Sequence, residues 1–160
     1  LDGESIGIGG SVTIRDMGLA ERLGTHNRIV WHWAGGTAQE ASETQIYLSS
    51  VNGLAETGEI INIDGTGNRV AALIYGPEHV IVMAGMNKVA ANVDEALSRV
   101  HGTATPMNCK RLGKNTPCSA TGVCSDCLSP DCICNQVVIT RRSGIEGRIK
   151  VILIGEELGY

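Results

Sequence analysis

The sequence predicts an α/β fold in which a mostly parallel, open sheet is flanked by helices. Three observations predict it: strand and helix patterns alternate along the chain, single glycines punctuate the apolar runs, and residues 79–84 form a continuous apolar run. Such a run is typical of a parallel strand that is buried on both faces. The length of 160 residues suits one domain, and 42% hydrophobic residues suffice for a core. We therefore expect residues 1–160 to form a single α/β domain.

The elements follow one another from the amino terminus. Residues 5–10 form a short strand that ends in a glycine turn, and Ser11 stands in the N-cap position of an amphipathic helix through about Leu23. A capping box from Thr37 to Glu40 begins the next helix, which runs to about Thr44. The remaining predicted elements are strands over residues 28–31, 46–51, 59–63, 79–84, 136–140 and 148–154, and helices over residues 68–75 and 93–100.

Charge and cysteine placement limit the partners and the compartment. The net charge of −4, without a basic run, disfavours nucleic acid and membrane surfaces as partners. No apolar run approaches the ~20 residues needed to cross a bilayer. All six cysteines lie within residues 109–134, whereas disulfide frameworks usually link distant parts of a chain. We therefore expect reduced thiols and a cytoplasmic protein.

Residues 109–134, called the cysteine segment below, are predicted to form a cysteine-rich loop within the domain, and they carry the strongest chemical signal in the chain. Cys124 and Cys127 form a C-x-x-C, which suits Zn²⁺ or one edge of an iron–sulfur cluster, and two more thiolates would complete four-fold coordination. The outer thiols at the matching spacing are Cys118 and Cys134, while Cys109 and Cys132 are additional candidates. The spacing does not decide between zinc and an iron–sulfur cluster. Redox-active or merely free thiols are the alternative. The four histidines are scattered and are not predicted as ligands.

Two glycine-containing turns are candidate ligand sites. Gly9, Gly10 and Ser11 join a strand to a helix, where backbone N–H groups favour anions; a plain tight turn is the alternative. The turn between residues 62 and 69 would lie outside the carboxyl end of a strand, where ligands bind in open α/β sheets. Its candidate ligand-binding residues are Asp64, Thr66, Asn68 and Arg69. We expect a small anionic metabolite to bind between the two turns, which should share one edge of the sheet.

The sequence offers carboxylates for catalysis without identifying a reaction. Asp64 could orient a hydroxyl or act as a base, although the same turn could be an elaborate helix cap with Thr66 or Asn68 as N-cap. Glu56 and Glu59 flank a turn just before it, where a carboxylate could act as a base or nucleophile. The alternative for both glutamates is a solvated turn. Asp64 and Glu59 are therefore the candidate catalytic residues.

Three segments together resemble the lactate-utilisation (LUD) domain family. They are residues 9–13, residues 49–52 with 59–71, and residues 116–135 followed by 154–159. The resemblance covers nearly the whole chain and implies a fold similar to ribose-phosphate isomerases and CoA transferases. Members usually begin with a helical stretch before the first strand, so it also implies that an N-terminal helical segment is missing here.

The resemblance implies a metal- or iron–sulfur-binding component of a redox system that oxidises L-lactate to pyruvate, with iron–sulfur subunits as partners. Cys118, Cys124, Cys127 and Cys134 match the pattern of its cysteine-loop branch, whereas Cys109 and Cys132 go beyond it. The alternative is a stand-alone binding protein or isomerase-like enzyme for a sugar phosphate or acyl-CoA, with a structural metal. A homo-oligomer is compatible with either hypothesis.

The glycine turn does not carry a dinucleotide fingerprint. Val12 stands where a G-x-G-x-x-G motif would place its last glycine, and no acidic residue ends the second strand. Oxidation of lactate removes two electrons and needs a two-electron acceptor. We therefore expect the isolated chain not to oxidise lactate.

Overall fold

A computed structural model describes residues 1–160, which divide into two compact units. The parallel-sheet unit comprises Leu1–Val51, Asn68–Asn87 and Ser143–Gly159, and the thiol unit comprises Asn52–Gly67, Lys88–Arg142 and Tyr160. The α/β fold class predicted from the sequence is confirmed. The expectation of one domain, and of a fold similar to ribose-phosphate isomerases and CoA transferases, stays a prediction. None of the helices combines the length and the apolar character required to span a membrane.

The chain contains nine strands and seven α-helices. The strands are β1 (Ser5–Ile8), β2 (Arg28–Trp31), β3 (Ile46–Ser50), β4 (Gly53–Ala55), β5 (Ile60–Asp64), β6 (His79–Gly85), β7 (Val89–Ala90), β8 (Gln136–Thr140) and β9 (Ile149–Ile154). The helices are α1 (Val12–Asp16), α2 (Leu19–Gly24), α3 (Ala38–Ser42), α4 (Asn68–Ile74), α5 (Val93–Arg99), α6 (Thr105–Arg111) and α7 (Pro117–Thr121). Each strand and helix that the sequence predicts has a counterpart here.

The parallel-sheet unit contains five parallel strands in the order β2-β1-β3-β6-β9. Successive side chains of a strand point to opposite faces. On β1, Ile6 and Ile8 enter an apolar cluster with Ile14 of α1. Gly7 faces the other way, where an added Cβ would lie 2.0 Å from the carbonyl oxygen of Ala41 in α3. Because Gly7 has no side chain, α3 packs directly on the backbone of the sheet, on the face opposite to that covered by α1.

The predicted single helix after Ser11 is wrong in its length. Ser11 is the N-cap as predicted, because its hydroxyl accepts a hydrogen bond from the Ile14 N–H at 3.1 Å. The helix ends at Asp16, and a second helix begins at Leu19. Gly18 between them has φ +62°, a left-handed conformation that interrupts an α-helix and that glycine adopts at little cost. The capping box of α3 is confirmed, with Thr37 and Glu40 bonded reciprocally.

Two predicted strands do not belong to the parallel sheet. β5 and β8 pair antiparallel in a second, four-stranded sheet with the order β7-β4-β5-β8, which lies in the thiol unit. Its apolar cluster combines Ile61 and Ile63 of β5 with Ala96 of α5. The strand-and-helix alternation could not separate the two sheets, because a strand pattern does not specify which strands pair. The short strands β4 and β7 were not predicted.

The cysteine segment is partly helical, which corrects the expectation of a loop over residues 109–134. A π-helical turn, Val100–Ala104, connects α5 to α6, and Pro106 stands at the start of α6. Proline has no N–H with which to continue the hydrogen bonds of an α-helix. The hydrogen bonding just before Pro106 is therefore irregular. Cys109 lies in α6 and Cys118 in α7. Only the later cysteines are outside helices.

Candidate functional site

The strand order of the parallel-sheet unit defines one natural ligand-binding position. The chain goes from β1 to β2 on one side and then to β3 on the other, so the order reverses between β1 and β3. Ligands of open α/β sheets bind outside the carboxyl ends of the strands at such a reversal. Gly9 and Gly10 follow β1 at this end, and Ser50 ends β3. The predicted glycine turn therefore lies where the topology favours a ligand.

Arg69 is the charged residue that the structure brings to this turn. Its side chain is only 8% exposed, and its Nη1 donates a hydrogen bond to the Ser50 carbonyl oxygen at 3.2 Å. A Cβ added to Gly9 would lie 3.4 Å from the Arg69 Cγ and 2.9 Å from the Tyr47 hydroxyl oxygen. Glycine at position 9 thus leaves the room that the arginine stem and the tyrosine occupy. The structure therefore places Arg69 beside Gly9, and the binding of an anion there stays a prediction.

The backbone of the turn offers fewer donors than the sequence suggested. The Gly9 N–H donates to the Leu48 carbonyl oxygen at 3.0 Å, as part of the pairing of β1 with β3. The Ile14 N–H is bonded to Ser11, and α1 is only five residues long. Gly10 is exposed and lies beside His32, whose Nε2 would be 3.7 Å from an added Cβ. An anion at this turn would therefore depend mainly on the guanidinium of Arg69.

Three polar residues around this position were not singled out from the sequence. The Ser50 hydroxyl donates to Thr13 Oγ1 at 3.3 Å, and Thr13 Oγ1 donates to the Leu158 carbonyl oxygen at 3.2 Å. Tyr47 is fully buried although it carries a hydroxyl. Hydroxyls on a buried parallel strand are unusual, and the Ser49-Ser50 pair at the end of an apolar strand was the available signal.

The part of the second predicted turn up to Gly67 belongs to the thiol unit, whereas Asn68 and Arg69 belong to the parallel-sheet unit. Asp64 ends β5 and pairs with Gln136 of β8, and its carbonyl oxygen accepts from the Asn135 N–H at 3.1 Å. The Asn135 side-chain amide donates to the Gly65 carbonyl oxygen at 3.0 Å. Thr66 is exposed, while Asn68 is half-buried at the start of α4. Since β5 is not a strand of the parallel sheet, the expectation that both turns end strands of one sheet is wrong. The structure instead joins Asp64 and Gly65 to the end of the cysteine segment.

Glu59, the other candidate catalytic residue, lies at the surface before β5. Its carboxylate accepts a hydrogen bond from the Thr57 hydroxyl. That hydrogen bond, with one from the backbone N–H of Glu59 itself, lowers the pKa of the carboxyl group below its usual value. A carboxylate with a lower pKa is a weaker general base. The geometry therefore resembles a turn stabilised by its own side chains.

Four of the cysteine thiols are neighbours within the thiol unit. The thiols of Cys118 and Cys132 are close enough to Cys109 to raise its pKa, and those of Cys132 and Cys109 are close enough to Cys134 to raise its pKa. The Cys134 N–H also donates to Cys132 Sγ at 3.4 Å. Four of the six thiols therefore form one cluster, which we call the thiol cluster.

Burial changes the acidity of two members of the thiol cluster. Cys109 is 1% exposed, and burial raises the pKa of its thiol to about 11, with the neighbouring thiols of Cys118 and Cys132 contributing in the same direction. Burial likewise raises the pKa of Cys134 to about 12, although the nearby Thr105 hydroxyl opposes the shift. Both thiols are therefore protonated at neutral pH when no metal is bound.

Cys124 and Cys127 form the C-x-x-C, and their predicted role as metal ligands with Cys118 and Cys134 stays a prediction. Cys124 Sγ is 3.5 Å from Nδ1 of His101, which lies in the π-helical turn, and it accepts from the Asp126 N–H at 3.5 Å. Asp126 has φ +48°, the one non-glycine residue with a positive φ. Cys127 is half-buried in the same loop. The contact with His101 links a histidine to the cysteine segment, which the sequence positions did not suggest.

The side chains as placed do not form a metal site by geometry alone. No group of three or more His, Cys, Asp or Glu side chains is arranged so that it could hold a metal ion. All six cysteines are free thiols. The donor types nevertheless suit a soft metal chemically, because thiolates are the ligands that zinc and iron–sulfur clusters take.

Comparisons with known proteins point to one family. The family model described as the LUD domain matches residues 2–154. A crystal structure of a DUF162 family protein from Deinococcus radiodurans is similar with a TM-score of 0.46 and 15% sequence identity, covering 96% of this chain and 88% of that chain. A comparison with curated proteins found no match.

Proposed function

Because this chain belongs to the LUD domain family, which is related to lactate utilisation, we propose that it is a metal- or iron–sulfur-binding component of an L-lactate utilisation system. The observation that carries the proposal is the thiol cluster of Cys109, Cys118, Cys132 and Cys134. Six free cysteines within one short stretch are typical of metal binding or redox chemistry rather than of a disulfide framework.

The residues around the thiol cluster are suited to hold thiolates. The Thr116 hydroxyl is 3.3 Å from Cys118 Sγ, and the Thr105 hydroxyl is 3.8 Å from Cys134 Sγ. Hydroxyl groups beside sulfur can donate hydrogen bonds to a thiolate once its proton has left. When bound, an iron–sulfur cluster would supply one-electron transfer, whereas zinc would supply structural cross-links.

Elemental analysis with a visible spectrum tests the metal. We expect anaerobically purified protein to contain bound metal, brown if it is an iron–sulfur cluster and colourless if it is zinc. Metal-free, well-folded protein with six titratable thiols would contradict the proposal. Anaerobic handling matters because exposed clusters are sensitive to oxidation.

An assay of pyruvate formation from L-lactate, with an artificial electron acceptor, tests the role as a component. We expect no turnover by this chain alone and turnover when iron–sulfur partner subunits are added, because no nucleotide-cofactor fingerprint is present. Turnover by the purified single chain would instead identify a stand-alone enzyme.

A second candidate function is the binding of a small anionic metabolite, such as a sugar phosphate or an acyl-CoA. The observation that favours it is the buried guanidinium of Arg69 beside Gly9, at the position where the strand order reverses. A buried, hydrogen-bonded arginine is well suited to bind carboxylate or phosphate. The catalytic role expected of Asp64 and Glu59, which lie in the thiol unit, stays a separate prediction. Calorimetry with lactate, pyruvate, sugar phosphates and acyl-CoA distinguishes the ligands.

A further inference from the structure

The strand β9 is open to solvent although its sequence is apolar. It lies at the edge of the parallel sheet, next to β6. Three consecutive apolar residues, Val151, Ile152 and Leu153, are 40%, 44% and 53% exposed, whereas the interior strands β1, β3 and β6 are largely buried. We propose that β9 is a dimer interface, in which the β9 strands of two copies of this chain pair antiparallel about a two-fold axis at Leu153. This proposal does not depend on a metal or on a ligand.

Both faces of β9 are open, and the strand has little to protect it. Successive side chains of a strand point to opposite faces, so Ile152 lies on one face and Val151 and Leu153 lie on the other. An exposed apolar edge strand readily pairs with another chain, and proteins usually block such an edge with charges, with proline or with a covering element. β9 contains no proline and a single charged residue, Lys150. Its edge is therefore suited to pairing.

The backbone of β9 offers a row of hydrogen-bonding groups at the open edge. The Val80 N–H of β6 donates to the Arg148 carbonyl oxygen at 2.8 Å, so the even-numbered residues of this stretch direct their backbone groups to β6. The N–H and C=O groups of Ile149, Val151 and Leu153 therefore point away from the sheet. With a two-fold axis at Leu153, this residue lies opposite its own copy and can exchange both hydrogen bonds with it, as antiparallel pairing requires.

The charges on either side of Leu153 favour a second copy of this chain as the partner. Lys150 stands three residues before Leu153 and Glu156 stands three residues after it, and both charged residues are exposed. Antiparallel pairing about Leu153 brings each Lys150 toward the Glu156 of the other copy, twice in one dimer. Opposite charges at facing positions stabilise a pair of strands. A two-fold axis also closes the assembly, so pairing stops at the dimer.

The strand β8 also has exposed apolar side chains, but it lacks this complementarity. It is an edge strand of the second sheet, and Val137 and Ile139 are exposed. The residues that alternate with them are half-buried, so only one face of β8 is open. Two arginines follow β8, and the two residues before it are uncharged. Antiparallel pairing of β8 with its own copy would therefore not match opposite charges, which makes β8 the control strand.

Sedimentation velocity of the full chain tests the interface. We expect the parent to sediment as a dimer, with twice the mass of one chain. L153K puts two like charges opposite each other at the axis, so it should raise the dissociation constant of the dimer at least about tenfold. V137K is the matched control, because Val137 and Leu153 are both 53% exposed on edge strands, and it should leave the dimer intact. Circular dichroism checks that both variants are folded.

Exchange of the two charges tests the register. K150E places a carboxylate beside Glu156 of the other copy, so it should weaken the dimer by about threefold or more, and K150E/E156K should restore the dissociation constant of the parent. A parent that stays monomeric at the highest soluble concentration would overturn the proposal. A dimer that L153K leaves intact, or that V137K disrupts as strongly as L153K, would overturn it as well. So would a weakening by K150E that E156K does not reverse.

Discussion

The two units of this chain carry their candidate chemistry in different groups. In the thiol unit the chemistry belongs to side chains of one short stretch, four of whose thiols are close enough for their neighbours to raise the pKa of Cys109 and Cys134. In the parallel-sheet unit it belongs to a place in the topology, where Gly9 and Ser50 end neighbouring strands and Arg69 supplies the charge. The cysteine site can be recognised from the amino-acid sequence alone. The site around Arg69 can be recognised only when the strand order is known.

The difference also concerns what holds each site. The parallel-sheet unit is organised by apolar packing on β1 and by buried arginines that bond to backbone carbonyls. The cysteine segment is held mainly by hydrogen bonds of polar loop residues such as Asn115 and Asp131. Polar loops without much apolar burial open more easily than a core. We therefore expect metal to stabilise the thiol unit and to matter little for the parallel sheet.

The largest effect on stability is expected at Arg148, which belongs to the parallel-sheet unit. Arg148 is 6% exposed and donates hydrogen bonds to the carbonyl oxygens of Ala72, Leu73 and Pro77 at the end of α4. Replacing it with Met removes all three bonds and leaves the carbonyls buried, so R148M should lower the free energy of unfolding by about 3 kcal/mol or more. Urea denaturation of metal-loaded and metal-free protein measures the loss.

The control for this substitution is R22M on the exposed side of α2, which should change stability by less than about 0.5 kcal/mol. A loss for R148M that disappears when metal is bound would show that the parallel-sheet unit depends on the metal. That result would contradict the expectation that metal stabilises the thiol unit and matters little for the parallel sheet.

A smaller effect is expected at Arg69. R69A should weaken binding of an anionic ligand by about 1.5–3 kcal/mol if the guanidinium makes a charged hydrogen bond to it. R69K is the matched control, because it keeps the charge and loses the planar donor arrangement, and it should recover part of the affinity. Calorimetry with the anion that binds the parent gives the difference. Equal binding by the parent and R69A would assign Arg69 a structural role through its bond to Ser50.

A further effect is a loss of stability of the metal-free protein at alkaline pH. The pKa values of Cys109 and Cys134 are raised from 9.0 to about 11 and about 12. Between pH 9 and these values the unfolded chain loses the thiol protons while the folded chain keeps them, so stability falls as pH rises. The decline should be shallower in C134A than in the parent. Parallel stability profiles of the two proteins over this range would contradict the account.

Much of the fold could be predicted because local patterns determine local structure. The N-cap Ser11, the capping box at Thr37 and the buried strand β6 follow from the order of a few residues each. The break at Gly18 was missed because an isolated glycine is tolerated within a helix. The second sheet was missed because the antiparallel pairing of β5 with β8 joins residues more than 70 positions apart. Pairing at that distance depends on the whole chain.

The sequence supplied the residue types of the candidate site, and the structure adds which of them are neighbours. Spacing favoured Cys124 and Cys127, since a C-x-x-C is compact in sequence. That the thiol of Cys109 on α6 is a neighbour of the thiol of Cys118 on α7 depends on how the two helices pack, which spacing does not express. Gly9 and Arg69 were selected for separate reasons, and the structure brings them together because β1 and β3 are neighbours.

Hydrogen–deuterium exchange with and without a metal chelator tests the contrast between the two units most directly. Removing metal from the full chain should increase exchange in peptides covering residues 105–135, because the links between α6, α7 and Cys132 are lost. Peptides from β1, β3 and β6 should keep their protection. Unchanged exchange throughout, in protein shown to have carried metal, would contradict the account. Loss of protection in the parallel sheet would contradict it equally.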